Sequence, residues 1–274
     1  MKTRLLIVGY GRMAQAMLRG FAQNAHKLES YQIQITGRNP NKVHDFLKSL
    51  PLEMETLPPS HTLDIDNANV LLAVKPYALG NFSYKGRACM VLSVLAGVGV
   101  DTLKEHLESS VYVRCMPNIA AQHHLSATSM YVDFSCLLKM PHESEHIKQQ
   151  AHTLLECLGS VVEVAQENLI DASLATSGSS LAFLSMVAQA LVSAGVREGL
   201  SVDQASSLVK QSFKGFAKLL EEQSPQEIID SICTPGGATI TGLSVLEEKA
   251  FKGILMQACH AAVRKGRTKS KSEE

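Results

Sequence analysis

The six cysteines of this 274-residue chain (Cys89, Cys115, Cys136, Cys157, Cys233 and Cys259) include no Cys-x-x-Cys pair and no histidine at zinc-finger spacing. That absence removes the common dithiol and structural-zinc motifs, and the residues read as reduced thiols of a cytoplasmic protein. Net charge is missing too. The 26 Lys and Arg balance 26 Asp and Glu, so bulk charge gives no argument for a nucleic acid or an anionic membrane as partner. The first apolar run is short and leads into a glycine turn, unlike a secretory signal. His123-His124 lacks the i,i+4 spacing around a glutamate that a zinc protease helix needs, and no metal site is expected. Ser177-Gly178-Ser179 follows no strand, so it is not a nucleophile elbow. Internal repeats and low-complexity segments are absent.

Charge is also lacking from Ala172 to Val196, a stretch long enough to cross a bilayer. Thr176, Ser177, Gly178, Ser179, Ser180, Ser185, Gln189 and Ser193 make it too polar for that. A buried helix rich in small residues is expected instead.

What is present begins with Arg4-Leu5-Leu6-Ile7-Val8, a buried-strand pattern running into Gly9-Tyr10-Gly11-Arg12-Met13-Ala14. In Gly-x-Gly-x-x-Ala the first glycine permits a tight turn, the second lets backbone approach a pyrophosphate, and the small third residue lets helix and strand pack closely. The helix N-terminus then offers free N–H groups and a positive dipole end. Met13, Met17, Leu18 and Phe21 continue at helical spacing, and Tyr31 to Thr36 alternates like a strand. Strand, helix, strand is the nucleotide-binding order. At the end of the second strand, where an NAD site places an acid for the ribose hydroxyls, Gly37-Arg38-Asn39 offers an arginine. An arginine with no acid suits a ribose 2′-phosphate, and so NADPH over NADH.

Asn39-Pro40 caps a helix through Leu50, which Pro51 ends. Pro58 to His61 is a loop, and Ala68 to Val74 is an unbroken apolar strand of the kind buried on both faces. Lys75-Pro76 follows it, on the edge where open α/β sheets bind ligands. Lys75 is there either a general acid or a solvated lysine. Met90 to Gly97, Val111 to Asn118, Ala127 to Val132 and Val161 to Ala165 read as further strands, with helices at Val100 to Leu107 and Glu143 to Leu158. Beyond Gln166 the pattern turns helical, which sets the expected domains at 1–166 and 167–274. Helices are expected from Asn168 to Glu198 and Val202 to Glu222, from Pro225, and through Ile240, Leu243, Leu246, Ala250, Ile254 and Ala258. Lys210, Lys214 and Lys218 read as one solvated face, and the basic residues from Arg264 to Lys271 as a solvated end. Thr234-Pro235-Gly236-Gly237-Ala238-Thr239 has two readings, a helix-loop-helix corner or an anion cradle at a helix start.

These segments, in this order and over nearly the whole chain, resemble the Δ1-pyrroline-5-carboxylate reductase family. The matching stretches are Gly9 to Ala14, Ala73-Val74-Lys75-Pro76, Ser93 to Val98, Arg114-Cys115-Met116-Pro117-Asn118, Ser177-Gly178-Ser179, Ala194 to Leu200 and Thr234 to Glu247. The resemblance implies a Rossmann domain followed by a helical domain that interleaves two subunits, and reduction of the cyclic imine to L-proline by NADPH, with NADH possible. It implies substrate contacts at Ser179, Gly236, Gly237, Ala238 and Thr239, with the Thr239 hydroxyl at the ring nitrogen; Lys75, from its place at the strand end, is a second candidate catalytic group. Cofactor contacts are implied at Gly9, Gly11, Arg12, Met13, Arg38, Asn39, Ala73, Val74, Lys75, Pro76, Ala96, Gly97, Pro117 and Asn118. The sequence departs from the family pattern at Gly37, Tyr77, Ile119-Ala120 and Ser180-Leu181. Those departures keep open a reductase of another cyclic imine or small oxo-acid, or a non-catalytic NADPH-binding protein.

Overall fold

The computed structural model describes residues 2–58, 60–135 and 141–268. Pro59 in the Pro58–His61 loop, Cys136 and the tail from Lys269 lie outside the described residues. Compact packing divides the chain into two units: residues 1–178 with 262–274, and residues 179–261.

In chain order the first unit contains β1 (Thr3–Val8), α1 (Arg12–Gln23), β2 (Tyr31–Thr36), α2 (Pro40–Leu47), β3 (Glu55–Thr56), β4 (Thr62–Asp64), β5 (Asn69–Leu72) and β6 (Ser83–Lys85). There follow β7 (Ala88–Ser93), α3 (Val100–His106), β8 (Ser109–Met116), β9 (Ser126–Asp133), α4 (Pro141–Glu156), β10 (Gly159–Glu163) and α5 (Asn168–Ala172). One sheet runs in the order β10-β9-β8-β7-β5-β1-β2-β3, and only the β8–β9 pair is antiparallel. β4 and β6 form a separate small sheet. These two, and β3, are too short to leave a periodic signal.

Alternation along β1 supplies two cores. Leu5 and Ile7 join Met17, Leu18 and Phe21 of α1, Val43 of α2 and Leu154 of α4 on one face. Leu6 and Val8 join Val70 and Leu72 of β5 and Val100 and Leu103 of α3 on the other. A central strand covered on both faces needs apolar residues at every position, which explains the unbroken runs. The order reverses between β1 and β5. From β1 the chain winds outward through β2 to β3, then returns to start the other half at β5, so the carboxyl ends of β1 and β5 flank a crevice.

The second unit contains α6 (Ser180–Arg197), α7 (Val202–Leu219), α8 (Pro225–Ile232), α9 (Ala238–Glu248) and the first part of α10 (Phe251–Thr268). Three expectations are corrected here. The helix expected over Asn168 to Glu198 is broken, because the Ser173 carbonyl collects the N–H groups of Thr176, Ser177 and Gly178 at 3.1, 2.8 and 3.3 Å and ends the first ladder before α6 begins. The final helix is likewise two, divided at Ala250, whose φ of +53° is left-handed. A single left-handed residue interrupts the ladder without disturbing the apolar spacing on either side.

The third correction concerns α6, expected to be buried. None of its residues is buried, and Met186 is 72% exposed. Asn168–Arg197 is apolar enough, with a mean hydropathy of 1.6, to meet the length and composition of a membrane span. Among residues 179–261 only Ala205 and Ile228 are buried apolar residues, while Leu191, Val202, Leu208, Val245 and Ile254 lie open.

Gly20 supplies a stability test. An added Cβ would lie 2.5 Å from the Ala121 carbonyl oxygen and 3.0 Å from Leu158 Cδ2. Within a helix, glycine to alanine ordinarily gains about 1 kcal/mol, but overpacking of about 1–3 kcal/mol opposes it here. Gly20→Ala is expected to lower Tm in calorimetry; a rise in Tm would show that the contact yields freely.

Candidate active site

The crevice is built from glycine outward. Gly9, at the end of β1, has φ +114°, and a Cβ there would stand 2.6 Å from the Ala73 carbonyl oxygen just past β5. Only glycine lets the turn lie this close to β5. The Gly9 N–H donates to the Thr36 carbonyl at 2.9 Å and the Ala73 N–H to Val8 at 2.8 Å, so the ends of β1, β2 and β5 are tied together. Gly11 is the N-cap of α1 and supplies no side-chain cap; no acidic residue lies in the first turn. A Cβ on Gly11 would meet only the Ala73 oxygen, at 4.0 Å. The amides of Arg12, Met13 and Ala14 therefore face an open approach, the arrangement a pyrophosphate requires.

Arg38 is exposed beyond β2, and Arg12 is exposed at the start of α1. Asn39 is partly spent: its Oδ1 accepts the Lys42 N–H at 3.2 Å and caps α2. Gly37 has a packing cause, since an added Cβ would lie 3.0 Å from both Tyr10 Cβ and Val43 Cγ2. Tyr10 in turn meets Phe46 edge-on at 5.6 Å.

Ala73 is buried, Val74 and Pro76 are half-buried, and Lys75 and Tyr77 are exposed where β5 leaves the sheet. Gly97 is buried with φ +74° in the loop after β7, and Ala96 beside it is half-buried. Pro117 and Asn118, past β8, are buried. Asn118 is a structural hub: its Oδ1 accepts the Ala120 N–H at 3.0 Å, its own N–H donates to Ser126 Oγ at 3.0 Å, and its Nδ2 faces Ser177 Oγ at 3.4 Å. Burial lifts the thiols of Cys115 and Cys157, the latter to about 11, so neither is a thiolate at neutral pH.

In the second unit Pro235-Gly236-Gly237 turns into α9. Gly236 has φ +71°, and Gly237 is an N-cap without a side-chain cap or an acidic first-turn residue. The Gly237 N–H donates to the Thr234 carbonyl at 2.9 Å, which removes this amide from the expected anion set. Ala238, Thr239 and Ile240 keep unpaired amides among the described residues, and the Thr239 side chain is exposed. α7 and α8 contrast with this, each closed by a capping box, Ser201 with Gln204 and Ser224 with Glu227. Ser179, half-buried, precedes α6 without capping it. Lys210, Lys214 and Lys218 are exposed, as expected.

Residues 167–269 match the family model for pyrroline-5-carboxylate reductase dimerisation, and residues 4–97 match that for NADP oxidoreductase, coenzyme F420-dependent. A pyrroline-5-carboxylate reductase of Helicobacter pylori is 47% identical over 96% of this chain and 98% of its own length. The chain belongs to the pyrroline-5-carboxylate reductase family. Within that family, the crystal structure from Streptococcus pyogenes superposes with a TM-score of 0.82 at 26% identity, covering 97% of this chain and 99% of that one. A Plasmodium falciparum pyrroline carboxylate reductase with NADP bound superposes at 0.76 and 21% identity, over 98% and 100% of the two chains. The family architecture, a Rossmann-type domain followed by a helical dimerisation domain, is the one expected from the residues. The dimerisation match also spans the open apolar faces of α6 to α10. Sequence reasoning missed Tyr10, hidden as the variable residue of Gly-x-Gly, and Glu167, described below.

The two glycines predict different failures. Gly9→Ala forces backbone apart and is expected to lower Tm sharply. Gly11→Ala is expected to leave Tm nearly unchanged while weakening dinucleotide binding about tenfold or more by blocking the close approach, as read by NADPH fluorescence. Equal affinity for Gly11→Ala and the parent protein would remove Gly11 from the pyrophosphate site.

Proposed function

We propose that this chain reduces Δ1-pyrroline-5-carboxylate to L-proline, with NADPH as the preferred reductant, as a homo-oligomer in the cytoplasm. The observation that carries this reading is the uncapped start of α9, where the free amides of Ala238 and Thr239 and an exposed hydroxyl share one helix terminus. A small substrate with a carboxylate and a ring nitrogen matches that set. The name of the Helicobacter pylori relative supports the substrate, and the NADP in the Plasmodium falciparum structure supports the cofactor.

NADPH, when bound, supplies the hydride. The amides of Ala238, Thr239 and Ile240 hold the carboxylate at the positive end of α9. The Thr239 hydroxyl donates a hydrogen bond to the ring nitrogen, drawing electron density from the imine carbon. Lys75, exposed past β5 on the cofactor edge of the first unit, is the second group we assign a catalytic role, as a proton donor. The free amides of Arg12, Met13 and Ala14 fix the pyrophosphate, with Gly9 and Gly11 giving it room, and Arg38 pairs with the 2′-phosphate. Ala73, Val74, Pro76, Ala96, Gly97 and Pro117 form the strand-end floor on which the dinucleotide is laid. Positioning is the larger part of the catalysis.

Ile119, 42% exposed beside Asn118, favours a second reading, a related but more apolar cyclic imine. Following NADPH oxidation with pyrroline-5-carboxylate and with imines lacking the carboxylate separates the two. Rapid turnover of pyrroline-5-carboxylate alone supports the first; binding of NADPH without turnover of it defeats that reading. Arg38→Ala is expected to raise the NADPH Kd by about ten- to a hundredfold, the loss of one charged hydrogen-bonded pair, with little change for NADH. Thr239→Ala is expected to lower kcat while leaving NADPH affinity intact; an unchanged kcat removes Thr239 from the chemistry.

A further inference from the structure

One buried ion cluster is not explained by the proposed chemistry. Arg114, on β8, has a side chain only 4% exposed. Its Nη1 donates to Glu167 Oε1 at 3.0 Å and its Nη2 to Asp171 Oδ1 at 3.0 Å. The same Glu167 Oε1 also accepts the Val100 N–H at 2.7 Å, at the first residue of α3. It lies so close to the preceding turn that a Cβ on Gly99 would stand 3.3 Å from it.

We propose that Arg114 and Glu167 are positioning residues that lock together the two strand-end loops lying beneath the reactive end of the dinucleotide. This rests on the reading of the strand ends as the cofactor floor. One carboxylate oxygen links the end of β8, which runs directly into Met116-Pro117-Asn118, to the start of α3, which ends the Ala96-Gly97-Val98-Gly99 loop. Leu95 and Val98 anchor that loop in the core, while Glu167 Oε1 supplies a polar tie at its far end. Within it the Val98 N–H reaches the Leu95 carbonyl only at 3.5 Å, and Gly97 sits at φ +74°. Arg114 loses its hydration on burial while the Glu167 side chain stays 32% exposed, so the pair contributes little net stability. What the ion pair adds is direction, because the planar guanidinium fixes where the carboxylate stands. The carboxylate in turn fixes the Val100 amide.

The test uses full-length Glu167→Ala, Glu167→Gln, Arg114→Lys and Gly99→Ala, each measured for NADPH Kd, kcat, both KM values and Tm, at a temperature well below the lowest Tm. Glu167→Gln still accepts the Val100 N–H but loses the charge match, so it should fall between the parent and Glu167→Ala. Glu167→Ala is expected to lower kcat or raise the NADPH Kd by about tenfold, the scale of a small misplacement of reacting groups, with the KM for the imine nearly unchanged. Variants with reduced Tm but kinetics and NADPH Kd within about twofold of the parent would make the cluster purely structural and overturn the proposal. If the Arg114 variant does not fold, the Glu167 and Gly99 variants decide. A parent protein that binds NADPH without reducing pyrroline-5-carboxylate would defeat the functional reading, while the Kd series still judges the clamp. A parent protein that binds no dinucleotide would defeat both.

Discussion

The close approach of Gly9 to the Ala73 carbonyl is the contact on which the nucleotide-binding half depends. β1 and β5 are hydrogen-bonded neighbours at the place where the strand order reverses, and the turn leaving β1 lies almost on the end of β5. That contact puts the N-terminus of α1 beside the crevice, with its first amides unpaired. The apolar faces of β1, alternating between two cores, then hold the crevice between helices on both sides of the sheet. Loops after β5, β7 and β8 reach the same edge because parallel strands all end on one side.

The helical unit obeys a different constraint. α7 and α8 are each closed by a capping box, yet residues 179–261 bury almost none of their own apolar side chains. Hydrophobic burial is the main term favouring a fold, and apolar faces this open mark an interaction surface. The match to the family's dimerisation model lies over this same region. Small residues still let α6 and α7 approach within the unit, where a Cβ on Gly195 would lie 3.2 Å from Ala205 Cβ.

The architecture was largely legible in the sequence, because the signals were strong and local. The glycine turn, the unbroken strands and the loss of strand patterning after Gln166 each follow from burial on two faces or one. Arg38 and the Gly236-Gly237 corner could be read because an arginine without an acid and an uncapped helix start have direct chemical meaning. What was not legible depended on contacts between distant residues. The Asn118 side chain faces Ser177, 59 residues further along the chain, a contact that no local pattern announces. The packing of Tyr10 and Val43 around Gly37, which leaves little room for a side chain, likewise has no local signal. Glu167 joins residues far apart in sequence, and the exposure of α6 is not legible because apolar composition alone does not say whether a helix face is covered within the chain.

The central claim, that these residues deliver hydride to the imine carbon of a carboxylate-bearing ring, is tested most directly by isotope transfer. NADPH carrying deuterium at both C4 positions would be consumed with pyrroline-5-carboxylate and the product analysed by NMR. The account predicts L-proline bearing one deuterium on its Cδ, formed in equal amount to the NADPH oxidised. Oxidation of NADPH without proline, or proline carrying no deuterium on that carbon, would contradict it.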